Sequence, residues 1–118
     1  MSARNWNSDN ELRNRNRART VFIQISLALN NIEIIADSGN VSPALRAELD
    51  TVTEALLDNA RLLAENKIAE ATSAVGRPFW VRVAESELQR GDANRSVDQL
   101  RRAARAYGEA WRYASFVL

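Results

Sequence analysis

Residues 97–118, Val-Asp-Gln-Leu-Arg-Arg-Ala-Ala-Arg-Ala-Tyr-Gly-Glu-Ala-Trp-Arg-Tyr-Ala-Ser-Phe-Val-Leu, decide the fold class. Val97, Leu100, Ala104, Tyr107, Trp111, Ala114 and Leu118 recur at alternating spacings of three and four. This places them on one face of a helix and makes a seam that packs against another helix. The spacing predicts a helix over 95–117. Gly108 falls inside it and costs about 1 kcal/mol relative to Ala, which points to a close helix approach beside Tyr107 and Trp111.

Upstream, the sparse glycines and prolines read as helix punctuation, with Gly just past a C-terminus and Pro just inside an N-terminus. Gly39 ends a first helix, and Ser42-Pro43 caps and opens a second. Gly76 ends the second and Pro78 opens a third; Gly91 ends the third, leaving Asp92 or Asn94 to cap the fourth. The predicted fold is therefore all-α: an elongated antiparallel bundle of four helices over about 9–37, 43–75, 79–90 and 95–117, the third short. The connections are brief, as antiparallel neighbours require.

For the first helix the start signal is Ser8-x-x-Glu11, a capping box in which each side chain satisfies an orphaned backbone N–H. Val21, Ile25, Ala28, Ile32 and Ile35 then share a face. A rival reading exists here, because Val21, Ile23, Ile25, Leu27 and Leu29 also alternate as a half-buried strand would. Helix is preferred, since the helical period resumes through Ile35 and no second strand is available for pairing. In the second helix the expected core stripe is Leu45, Leu49, Val52, Leu56, Ala60 and Leu63, continuing through Ile68, Ala71 and Val75. Asn66-Lys67 interrupts it and marks a bend or an extension beyond the bundle. In the third, Trp80, Ala84 and Leu88 share a face with Phe79 and Val83 beside it.

The length of 118 residues fits one domain, carrying a basic N-terminal arm or helix extension at 1–19. A hydrophobic content of 46% against 26% charged residues is that of a folding chain. The absence of both Cys and His removes disulfides, thiolate nucleophiles, the usual zinc sites and the commonest general acid–base side chain. No catalytic residue, cofactor or metal ligand set is identified, and the chain is read as a non-enzyme. Val21–Leu29 follows basic residues like a secretory signal. However, Gln24 and Ser26 interrupt it, Asn30-Asn31 closes it, and it falls short of the ~20 residues that span a bilayer. The expectation is a cytoplasmic protein without membrane association.

The net charge of +1 conceals segregation. Residues 1–20 carry five Arg against two acids, 21–60 one Arg against six acids, and 61–118 ten bases against seven. Segments of opposite sign can meet within a subunit or between subunits. Asp50, Glu54 and Asp58 lie at i, i+4 and i+8 on the second helix, where like charges repel; the first reading is a solvated acidic face and the second a salt-bridging surface for a row of Arg. Arg101, Arg105 and Arg112 on the fourth helix are the candidate counterpart; local Asp98–Arg102 and Arg105–Glu109 pairs are the simpler alternative. A carboxylate metal or acid–base site is a third reading of the acidic row. The densest local signal is Arg13, Arg15, Arg17 and Arg19, with Trp6 upstream. Three readings fit these residues: they grip phosphates and stack on a base, they meet the carboxylates of a protein partner or sibling subunit, or they form a solvated helical turn.

Trp80-x-x-Val83-Ala84, Gly91-Asp92 and Ser96-Val97-x-x-Leu100-x-x-Ala103 resemble one tetratricopeptide-type hairpin. The resemblance implies two antiparallel helices interlocked by large and small residues. Glu87 stands where that pattern has an aromatic and no second copy precedes it, so no peptide-binding groove is carried over.

These readings converge on a structural or assembly protein that self-associates through helix faces and its termini, as a homo-oligomer or with a protein partner. The alternatives are a nucleic-acid-binding accessory protein using the Arg arm, and a small adaptor that binds a partner helix.

Overall fold

Ser42 accepts the amide of Leu45 (3.1 Å) and Pro43 occupies the first turn, so the second helix begins where its capping chemistry dictates. It runs unbroken through Asn66-Lys67 to Val75, and Gly76, at positive φ, closes it. A computed structural model describes the backbone from Ala3 and the side chains from Arg19 onward. It comprises α1 (Ala3–Asp37), α2 (Pro43–Val75), α3 (Phe79–Ser96) and α4 (Leu100–Ser115), with no strand among the described residues. Val21–Leu29 lies within α1 and is helical. The helical backbone of α1 starts at Ala3, so Ser8 sits inside it rather than at its cap.

The boundary between α3 and α4 departs from the sequence reading. Gly91 does not terminate α3; it lies buried within it. A Cβ there would stand 2.4 Å from Tyr107 Cε1 and 2.6 Å from Cδ1. The glycine is thus a steric notch that receives the Tyr107 ring. Helix α3 ends instead at Ser96, where the Gln99 amide donates to the Asn94 carbonyl (2.9 Å) and the Asp98 amide to Arg95 (3.1 Å). This is the pairing of a Schellman stop, and Asp98, at φ +60°, takes the left-handed position that glycine usually fills. Val97 therefore lies outside both helices and is 63% exposed, so the seam of α4 begins at Leu100. Gly108 makes only ordinary contact with Phe22, 3.5 Å from its would-be Cβ.

Helix α4 touches all three other helices, α2 touches all three as well, and α1 and α3 do not meet among the described residues. The bundle is a flattened rhombus, 57 × 32 × 16 Å, with α2 and α4 on its short diagonal. The α3–α4 hairpin forms the most extensive interface. Ala104, Tyr107, Trp111 and Ala114 are buried as the spacing required, and Ala103, Ala106 and Ala110 widen the buried face. Nine of the seventeen buried hydrophobics are Ala, which lets backbones approach closely but buries little apolar area per residue.

Two core faces are rotated from those expected. On α1 the buried residues are Phe22, Ile25 and Leu29, while Val21 and Ile35 are exposed. On α2 they are Thr53, Leu57, Ala60, Ala64, Ile68 and Ala71, while Leu45, Val52 and Val75 are exposed. Thr53 is buried without penalty because its hydroxyl donates to the Leu49 carbonyl (2.8 Å). On α3 the buried positions are Val81 and Ala84, and Trp80 stays accessible.

The two glycines of the α3–α4 pair make opposite predictions. Gly91→Ala forces the buried Tyr107 ring to move and lowers unfolding free energy by about 1–3 kcal/mol, whereas Gly108→Ala raises it by up to about 1 kcal/mol through helix propensity. Urea titration followed by circular dichroism measures both.

Candidate assembly interface

Behind the surface lies one polar network that fixes how the helices meet. Tyr107, fully buried on α4, donates its hydroxyl to Asp92 Oδ1 of α3 (2.6 Å). Arg61 of α2 donates to the same carboxylate through Nε to Oδ1 (2.8 Å) and Nη2 to Oδ2 (3.0 Å), and it also pairs with Glu65. Three helices are tied by one carboxylate. The bidentate Arg61 fork, reinforced by the Tyr107 hydroxyl, holds Asp92 below its ordinary value. Burial, followed by the hydrogen bond to the Asp92 carboxylate, pushes Tyr107 up to about 12.

The acidic row does find a basic partner, but not the expected one. Arg95, at the end of α3, bridges Glu54 and Asp58 (2.8 Å to Asp58 Oδ1). Burial opposes the Arg95 charge and the two carboxylates more than offset it, so its pKa is raised. Asp50 forms no ion pair among the described residues. Arg101 turns to α1, meeting Glu33 (2.9 Å) and Asn30 (3.1 Å). Arg112 pairs locally with Glu109 (2.7 Å) and lies over the Tyr113 and Phe116 rings. Arg105 and Arg19 have no ion pair among the described residues, and the local Asp98–Arg102 and Arg105–Glu109 pairs do not form. Trp6, Arg13, Arg15 and Arg17 lie outside the residues whose side chains are described. Among the described residues, no group of three or more carboxylates could hold a metal ion.

Among the described residues, eight hydrophobics larger than alanine are buried and seven more pack partly buried against them, while thirteen stay exposed. Nine of the thirteen fall in three groups. Ile23, Leu27 and Ile34, spaced four and seven, line α1 on the side opposite its buried face. Ile34 and Ile35, late in α1, and Leu45 and Val52, early in α2, flank the turn at the α1–α2 hairpin tip. Phe79, Trp80 and Phe116 join half-buried Tyr113 in an aromatic cluster, with Trp80 stacked on Tyr113 at 5.6 Å. Between α1 and α4 an open groove of about 700 Å³ is lined by Phe22, Ile23, Leu27 and Trp111 together with Arg19, Arg105, Arg112 and Glu109, the last paired with Arg112. The chain on either side of the α1–α2 turn is net acidic, with Asp37, Glu48 and Asp50 against Arg46.

The α4 seam from Leu100 onward was legible from period alone. The outer face of α1 was not, because a helix that is apolar on both sides offers no single stripe to read. The same composition makes Arg19–Asp37 long and apolar enough, by length and composition, to cross a membrane. No protein-family model, curated protein or solved structure matches the chain.

The Tyr107 phenol makes the network's alkaline limit measurable. Its pKa in the fold, about 12, exceeds its ordinary 10.0, so its contribution is complete below pH 10 and is lost as pH rises towards 12. Wild-type unfolding free energy therefore falls across that interval in denaturant titrations. Tyr107→Phe removes that component of the fall and, at neutral pH, costs about 0.5–1.5 kcal/mol for the lost hydrogen bond.

Proposed function

We propose that this protein is a non-enzymatic assembly subunit that self-associates through the exposed apolar faces of its helices. The observation that carries this reading is the number of large hydrophobics left at the surface: thirteen are exposed among the described residues, against eight buried and seven partly buried on the core, in a body 16 Å thick. Scattered apolar residues are normal on a monomer, but aligned and clustered ones mark interaction surfaces. The composition supports the absence of catalysis, since it supplies neither His nor Cys.

Against membrane insertion of α1 stand its contacts with the bundle. Phe22, Ile25 and Leu29 are buried in the core, and Glu33 holds an ion pair with Arg101. Extracting this segment into lipid would expose that core and strand the charge.

Size-exclusion chromatography with light scattering tests the proposal. The expected result is a stable oligomer at micromolar concentration, with Leu27→Ser plus Ile34→Ser shifting it to monomer while helical content is retained. A wild-type monomer throughout the accessible concentration range contradicts the reading.

A further inference from the structure

The acidic, apolar hairpin tip and the basic, apolar groove lie on the same rigid helix, so neither can satisfy the other within one chain. Ile23, at the groove, and Ile34, at the tip, are eleven residues apart on unbroken α1, ~16 Å by helical rise. Between them Leu27 continues the apolar line. Resting on the self-association reading above, we infer that the chain forms a two-fold dimer by antiparallel pairing of α1 with α1 of a second copy. In this dimer each acidic tip seats in the other copy's basic groove.

Three features select this occupant. First, the strip is self-complementary only when reversed. Antiparallel overlap sets Ile23 against Ile34 of the second copy and carries Arg19 to its Asp37; parallel overlap sets Arg19 against Arg19 and Asp37 against Asp37. Second, the charges that would meet are unengaged: Arg19 and Arg105 in the groove, and Asp37, Glu48 and Asp50 at the tip, form no ion pair among the described residues. Third, the formal charge is segregated along the sequence. Residues 1–20 hold an excess of three positive charges and residues 21–60 an excess of five negative ones, and reversal brings those segments together at both ends. A two-fold axis uses tip and groove twice and closes the assembly, which a head-to-tail arrangement does not do by itself.

The natural absence of cysteine makes the geometry directly testable by disulfide mapping of full-length protein. Ile23→Cys and Ile34→Cys variants, mixed and oxidised, are expected to yield a covalent heterodimer as the major product, with Ile23→Cys alone giving little homodimer. A predominant Ile23→Cys homodimer shows a parallel pairing and overturns the inference. Charge exchange supplies a readout independent of oxidation. Arg19→Glu or Asp37→Arg alone weakens dimerisation about tenfold, and the double variant recovers it, because both interfacial pairs are restored with reversed sign. Failure of the double variant to recover overturns the tip-in-groove arrangement. A monomeric wild type removes the self-association reading as well, whereas a stable oligomer lacking the 23–34 cross-link removes only the antiparallel dimer.

Discussion

The insertion of the Tyr107 ring into the notch left by Gly91 is the contact on which the bundle depends. It sets the α3–α4 separation, because any side chain at 91 would hold the helices apart. It also carries the hydroxyl to Asp92, and Asp92 in turn recruits Arg61 from α2. One aromatic side chain thereby joins steric fit to a charge-assisted network across three helices. No described buried side-chain nitrogen or oxygen is left without a partner, so this polar junction specifies the packing without the penalty of an orphaned group.

That close packing has a cost elsewhere. A core built largely of alanine permits tight crossings of α2 and α4, yet it removes less apolar area from water than leucine or phenylalanine would. Alongside that core, thirteen larger hydrophobics stay exposed among the described residues. In a 118-residue chain arranged as a thin body, burial on folding is therefore incomplete. The proposed association with a second copy would complete it, and the charge difference between the turn and the groove would give that association a direction.

How much of this was legible in the sequence varied with the residue. Ser42-Pro43 and Gly76 fixed the limits of α2 because capping and proline geometry are local. The end of α3 was obscured for the opposite reason: Gly91 answers a tertiary demand from a residue sixteen positions away, while Asp98 performs the left-handed turn usually assigned to glycine. Misplacing that boundary hid Arg95, which as a late residue of α3 reaches Glu54 and Asp58. The α2 stripe was read correctly at Ala60, Ile68 and Ala71 and wrongly at Leu45, Val52 and Val75, because that helix bears two adjacent apolar stripes and only packing decides which one is buried. Asp92 was read as a candidate cap of the fourth helix and nothing signalled its pairing with Arg61, since that meeting depends on the register of two helices.

The central claim is that this fold completes its hydrophobic burial by pairing with its own copy. Differential scanning calorimetry across a hundredfold range of protein concentration tests it most directly, because binding that favours the native state makes the transition concentration-dependent. The account predicts a Tm that rises steadily with concentration. A Tm that stays constant over the whole range would contradict it.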